Sequence, residues 1–181
     1  MPTDKQQKIL PQITLQESLL EPNEYSRPQI ELKQVKGVVV HYTANPGTDA
    51  VENRNYFNNL PKNNQGKKNK TYASSHFVIG LEGQILQCIP LNEIAYASNE
   101  RNSDTISIEC CHPDKSGRFN KATYQALKEL VVYLCLTYDL EAEDVIRHYD
   151  VTGKLCPLYF VKHEDKWTAF LTEIKNELAR Q

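Results

Sequence analysis

Apolar and polar residues follow patterns along the chain that predict several β-strands. A continuous, β-branched run over residues 36–43 is typical of a central strand that is buried on both faces. Residues 72–79 and 84–89 read as strands on either side of the turn Leu81-Glu-Gly83, so they predict a hairpin. Residues 105–111 alternate between polar and apolar side chains up to the cysteines and predict a further strand.

Helical periodicity marks three other segments. Apolar residues recur every three or four positions over residues 124–138, which gives the strongest helix signal in the chain. Asp49 and Glu52 resemble a capping box, and we expect the helix that they begin to end at Pro61. The apolar stripe predicted for this helix consists of Val51, Tyr56, Phe57 and Leu60. Apolar residues between 167 and 178 predict a C-terminal helix.

The order of these elements predicts the fold class. Strands alternate with helices, a hairpin is inserted, and a short strand at residues 145–146 leads to His148. We therefore expect a single α/β domain over residues 35–181, with a central mixed β-sheet flanked by helices. Residues 1–34 are polar and contain four prolines, which predicts an N-terminal arm running over the surface. Tyr25 and Ile30 are candidates for pinning this arm to the domain.

Composition narrows the functional class. The chain has 181 residues, of which 40% are apolar, enough to form a hydrophobic core. Its 21 basic and 23 acidic residues give a net charge of −2, which argues against a nucleic-acid partner. No apolar run is long enough to span a membrane, and no long apolar stretch follows the first eight residues, so we expect no secretory signal in this chain. Five irregularly spaced cysteines argue against a disulfide framework.

Three residues at predicted strand ends and turns have the chemistry of metal ligands. His41 ends the first buried strand, His148 ends the last, and Cys156 follows in a Gly-Lys-Leu-Cys-Pro turn. Two imidazoles and a thiolate suit zinc, and three protein ligands leave a fourth tetrahedral position open to water, as in catalytic sites. A histidine at a strand end is more often a hydrogen-bonded structural residue, so the spacing alone leaves both hypotheses open.

Five motifs in order carry a resemblance to a known family. They are Val38-Val-Val-His-Tyr-Thr43, Tyr72-Ala-Ser-Ser-His-Phe-Val-Ile-Gly80, Gln87-Cys-Ile-Pro-Leu-Asn-Glu-Ile-Ala95, Asn102-Ser-Asp-Thr-Ile-Ser-Ile-Glu109 and Arg147-His-Tyr-Asp-Val-Thr-Gly-Lys-Leu-Cys-Pro157. Over about residues 36–175 the chain resembles the type 2 N-acetylmuramoyl-L-alanine amidases, which include phage endolysins, wall amidases and peptidoglycan-recognition proteins. The resemblance is to the wall-lytic and phage endolysin branch. It implies hydrolysis of the amide between N-acetylmuramic acid and L-alanine, with one zinc ion per chain held by His41, His148 and Cys156.

The same resemblance implies roles for further residues. Glu109 matches a glutamate that carries protons in the wall-lytic branch, and Lys154 matches a lysine required in the phage branch, where its charge can stabilise an oxyanion. Many relatives have a catalytic tyrosine where this chain has Ser75, and its absence favours Glu109 as the proton carrier. Ser75, Asn99 and Thr152 are additional candidates for substrate contacts.

The implied partners are the glycan strand and stem peptide of peptidoglycan, so we expect the chain to act at the cell wall, outside the cell. Two alternatives stay open. A non-catalytic peptidoglycan-binding module is disfavoured because such members typically lack the thiolate ligand that Cys156 provides. A cytosolic amidase that recycles muropeptides is favoured by the missing signal but disfavoured by Glu109. The oligomeric state stays open.

Overall fold

A computed structural model describes residues 10–181 and has an α/β fold built on one six-stranded mixed sheet. The first eight residues, and with them the expectation about a secretory signal, lie outside the described residues. The strands run in the order β1-β4-β3-β5-β2-β6. They are β1 (Leu15–Glu17), β2 (Gly37–Tyr42), β3 (Phe77–Ile79), β4 (Ile85–Gln87), β5 (Thr105–Cys110) and β6 (Val145–Arg147). Among these six strands of residues 10–181, only β3 and β4 pair antiparallel, as the hairpin prediction requires.

Helices cover both faces of this sheet. They are α1 (Ala50–Asn58), α2 (Leu60–Asn63), α3 (Lys121–Tyr138), α4 (His148–Thr152), α5 (Leu158–Lys162) and α6 (Glu164–Ala179). The larger core lies between the sheet and helices α3, α5 and α6, where Phe170 and Leu130 are fully buried. None of the helices within residues 10–181 is long and apolar enough to cross a membrane.

The opposite face of the sheet is covered by α1 and by the N-terminal arm. Leu20 of the arm and Phe57 of α1 pack there against Val78 and Leu86. The arm does more than run over the surface, because its residues 15–17 add the edge strand β1 parallel to β4. Ile30 ties the arm to the domain through its backbone, because its carbonyl accepts from the amide of Ile94 at 2.9 Å, while the residue itself is 49% exposed.

Three local predictions differ from the structure. α1 ends at Asn58, earlier than expected, and Pro61 lies in the first turn of α2. Proline is tolerated there because backbone N–H groups in the first turn have no hydrogen-bond partner within the helix. Strand β3 is shorter than expected because Ser74 is hydrogen-bonded to the loop residue Tyr96. The amide of Ser74 donates to the carbonyl of Tyr96, and the hydroxyl of Ser74 accepts from the amide of Tyr96. His148 does not end the last strand but begins α4, directly after β6.

Candidate active site

Two adjacent parallel strands place a histidine and a glutamate side by side. In the register of β2 and β5, His41 is the partner of Glu109. Paired residues of parallel strands point to the same face of a sheet, and here that face is the one opposite α3 and α6. Both residues lie near the carboxyl ends of their strands, where ligands bind in open α/β sheets. They line a cavity of about 500 Å³.

The segment after β6 brings the other two candidate ligands to the same cavity. Arg147 is buried and binds Asp150 and Glu164 at 2.9 and 2.7 Å, which anchors the point where β6 passes into α4. His148 follows as the first residue of α4. The amide of Tyr149 donates to the carbonyl of Cys156 at 2.9 Å, so the segment closes on itself and returns the thiol to the histidines.

The donor atoms of His41, His148 and Cys156 converge. One ligand atom from each lies within 4.8 Å of the others, and Nδ1 of His41 is 3.7 Å from Sγ of Cys156. The two imidazole rings are 4.7 Å apart between centroids. Nδ1 of His148 is buried and has no hydrogen-bond partner within residues 10–181. A buried, unpartnered imidazole nitrogen beside a thiol and a second imidazole fits a metal ion.

The outer nitrogen of each histidine is held by a neighbouring side chain. Nε2 of His41 lies 3.1 Å from Oγ of Ser98, and Nε2 of His148 lies 2.9 Å from Oδ1 of Asn99. An amide oxygen only accepts, so the His148 bond requires a proton on Nε2 and leaves the lone pair of Nδ1 facing inward. Such outer contacts are what orient histidine ligands towards a metal.

The electrostatic environment keeps both imidazoles neutral. Burial lowers the pKa of His41 well below its usual value, and the charge of Lys154 and the proximity of the titratable His148 ring lower it further. The pKa of His148 is lowered by burial and by Lys154. Burial raises the pKa of Cys156 to about 12, so its thiolate requires a cation at the site. Neutral imidazoles are the form that binds metal.

Glu109 has the properties of a proton carrier. Burial raises its pKa to about 8, against the opposing effect of Lys154, whose charge lowers it. Oε2 of Glu109 is buried and has no hydrogen-bond partner in the described part of the chain. Lys154 is exposed and lines the same cavity. A carboxyl group whose pKa lies near neutral pH is suited to take and return a proton.

Comparison with known proteins places this arrangement in a family. The sequence pattern of the family described as N-acetylmuramoyl-L-alanine amidase matches residues 31–158. The chain belongs to this amidase family. The match contains His41, Glu109, His148, Lys154 and Cys156. The resemblance inferred from the sequence motifs is therefore confirmed.

Relatives of the amidase family match nearly the whole chain. The N-acetylmuramoyl-L-alanine amidase CwlL of Bacillus licheniformis is 36% identical over 171 residues, which cover 88% of this chain and 46% of that protein. BlyA of Bacillus subtilis strain 168 is 32% identical over 178 residues and is also matched over 46% of its length. The chain thus spans about half the length of these curated relatives.

Solved structures confirm the fold class. The structure of PlyL has a TM-score of 0.72 at 27% identity, and the match covers 90% of this chain and 98% of that one. A mutant endolysin from Bacillus subtilis has a TM-score of 0.73 at 27% identity, covering 90% of this chain and 99% of that one.

Of the three predicted substrate-contact residues, Asn99 lines the cavity, whereas Ser75 and Thr152 do not. Ser75 is fully buried and its hydroxyl donates to the carbonyl of Phe77 at 2.9 Å, so it does not line the cavity. Thr152 lies exposed at the end of α4, where Oγ1 accepts from the amide of Lys154 at 3.3 Å, and it does not line the cavity either. Asn99 does line it, and its oxygen is engaged by His148.

Several residues of the site were missed by sequence reasoning. Ser98 contacts His41, and Asn102 holds the Ser98 loop by accepting from the amides of Ala97 and Ser98 at 3.0 and 2.6 Å. Two signals were present, namely the polarity of residues 97–104, which is equally typical of a solvent-exposed loop, and the position of Asn102 at the start of the fourth motif. Aromatic residues of the cavity wall were missed as well, namely Tyr56, Phe57, Tyr72 and Tyr96.

Proposed function

We propose that this chain hydrolyses the amide between N-acetylmuramic acid and the L-alanine of peptidoglycan at the cell wall, with one zinc ion held by His41, His148 and Cys156. The observation that carries the proposal is the convergence of these three donor atoms within 4.8 Å, in one cavity with Glu109. Membership of the amidase family supplies the substrate class.

His41 and His148 would hold the metal through Nδ1, because Ser98 and Asn99 contact the outer nitrogens and so fix the direction of both rings. Zinc in such a site polarises a carbonyl and lowers the pKa of a water molecule to about 7. The side chains around it must then bind the substrate and move protons.

Glu109 moves the proton. Its unpartnered Oε2 accepts a proton from the attacking water and returns it to the nitrogen of L-alanine as the amide bond breaks. Thr43 offers a second unpartnered atom, because its Oγ1 is buried without a hydrogen-bond partner within the described residues and Thr43 lines the same cavity. The hydroxyl is therefore available to orient the substrate beside Glu109.

Lys154 stabilises the oxygen of the scissile carbonyl as negative charge develops on it. Its charge lowers the pKa values of Glu109, His148 and His41, so its electrostatic effect reaches the groups that surround the reaction. A cation near a metal ion is unfavourable until negative charge appears between them. Lys154 therefore contributes more in the transition state than in the ground state, and this difference raises the rate.

Digestion of purified peptidoglycan tests the proposal. We expect new amino groups, identified as L-alanine by end-group labelling, without new reducing sugars, because only the muramoyl amide is cut. Elemental analysis of the same preparation should give one zinc ion per chain. His41→Ala and Cys156→Ala should lose the metal and the activity together, and undiminished metal in either variant would refute the ligand assignment.

Intact sacculi and soluble muropeptides separate the alternatives. Release of L-alanine ends from sacculi supports action on the wall, whereas cleavage of soluble fragments alone would indicate a recycling amidase. Binding to sacculi without any new amino group, in a preparation that holds zinc, would indicate a non-catalytic module.

A further inference from the structure

We propose that Tyr25, Tyr72 and Tyr96 form a subsite for an uncharged sugar ring of the glycan strand, beyond the muramoyl residue whose amide is cut. The inference rests on the proposed function, because it extends the same cavity along the polymer. It assigns a binding role to the N-terminal arm, which carries Tyr25.

Two cavities meet at Tyr72 and Tyr96, and Tyr25 packs against Tyr72 beside them. Tyr72 and Tyr96 line the cavity that contains His41 and Glu109, and they also line a second cavity of about 520 Å³ against the arm. The rings of Tyr25 and Tyr72 are 5.3 Å apart, and those of Tyr72 and Tyr96 are 5.8 Å apart and perpendicular. The ring of Tyr72 is 52% exposed. A row of aromatic rings therefore connects the site of cleavage with the arm.

The arm is held firmly enough to form part of a site. Arg27 binds both oxygens of Glu93 at 2.9 and 3.0 Å, across 66 residues of sequence. The amide of Ala73 donates to the carbonyl of Tyr25 at 3.1 Å, which ties the arm to the residue after Tyr72. Ser26 is fully buried. Side chains that are positioned before binding lose less entropy when a ligand arrives.

The charges around the second cavity favour a sugar over the stem peptide. The only cationic side chain among its lining residues in the described part of the chain is Arg27, which Glu93 already neutralises. Glu24 adds a carboxylate, which repels the carboxylates of a stem peptide. The side chain of Gln29 offers an amide group for neutral hydroxyls, whereas the amide of Asn23 is already engaged by Glu21, Tyr25 and Ser26 within the arm. An apolar C–H face of a pyranose can lie on the exposed Tyr72 ring while its hydroxyls reach these polar groups.

Binding of a β-1,4-linked N-acetylglucosamine tetramer, which has no stem peptide, tests the subsite independently of cleavage. In NMR titrations of the zinc-loaded chain we expect the ring signals of Tyr25 and Tyr72 to shift saturably. Tyr72→Ala should weaken binding about three- to tenfold, since one aromatic contact is lost, and Tyr72→Phe should restore it. Tyr25→Ala should also weaken binding and serves as a second variant if Tyr72→Ala does not fold.

Cleavage kinetics provide the matched comparison. In Tyr72→Ala, kcat/KM should fall further for a tetrasaccharide substrate, through a higher KM, than for a disaccharide substrate that is too short to reach the arm. Equal losses on both substrates, or no shift with the tetramer, would overturn the subsite. Shifts produced by free stem peptide but not by the tetramer would overturn it as well. Tetramer binding by a chain that cleaves neither substrate would refute the proposed function and leave the subsite standing.

Discussion

His76 is expected to make the stability of the protein depend on pH. The imidazole is 1% exposed, and its Nδ1 accepts from the amide of Ser107 at 3.0 Å. Nε2 therefore carries the proton and donates to the carbonyl of Glu93 at 2.8 Å. A second proton on Nδ1 would break the bond to Ser107 and would place a charge in the interior. His76 is thus a structural residue and lies outside the metal-binding cluster of His41, His148 and Cys156.

The size of the effect follows from the pKa. Burial lowers the pKa of His76 from 6.5 to about 4, although the carbonyl of Glu93 opposes this shift. Above pH 6.5 both the folded and the unfolded chain hold the neutral ring, so His76 adds no pH dependence. Between pH 6.5 and 4 only the unfolded chain binds the extra proton, so the free energy of unfolding falls as the pH falls. The loss is about 2 kcal/mol at pH 5 and reaches about 3 kcal/mol below pH 4.

Urea unfolding at pH 7.5 and pH 5, for the wild type and for His76→Gln, measures this contribution. The variant will be less stable at both pH values, because Ser107 and Glu93 lose well-placed partners. Between pH 7.5 and pH 5, the free energy of unfolding should fall by about 2 kcal/mol more in the wild type than in the variant. The other titrating groups are common to both proteins and cancel. Equal losses in the two proteins would refute the reasoning.

Three further outcomes concern the candidate site. Glu109→Gln should retain zinc by elemental analysis but lower hydrolysis about 10²–10⁴-fold, because an amide does not take up the proton; near-normal turnover would leave Glu109 a structural role. Asn99→Ala should weaken zinc binding about 10–100-fold in chelator competition, because His148 loses its orienting acceptor. Unchanged affinity would contradict that role. Lys154→Met should lower kcat on a soluble muropeptide with little change in KM, whereas a higher KM at constant kcat would place the lysine on the stem peptide.

Local patterns predicted the elements that bury a continuous run or one whole face in the core. The β-branched run became β2, and the three-and-four periodicity became α3, whose apolar face packs in the larger core. The same rule failed for α1, where Val51 is 54% and Tyr56 48% exposed. Tyr56 lines the candidate active site, so its aromatic ring serves the cavity and not the core. A periodic pattern does not distinguish these two uses.

The sequence by itself determined the fold class, the family and the residue types that can bind a metal, because these depend on burial patterns and on motifs that are local in the chain. Only the tertiary structure decided which side chains meet. The pairing of His41 with Glu109 depends on the register of two strands and joins residues 68 positions apart in the sequence. The contact of Asn99 with His148 joins a loop to the start of α4 across 49 positions. The burial of Ser75 likewise depends on a neighbouring strand, since its hydroxyl oxygen lies 3.1 Å from the carbonyl oxygen of Ser107 in β5. Contacts of this kind arise from packing across the sheet, and no local pattern of residues encodes them.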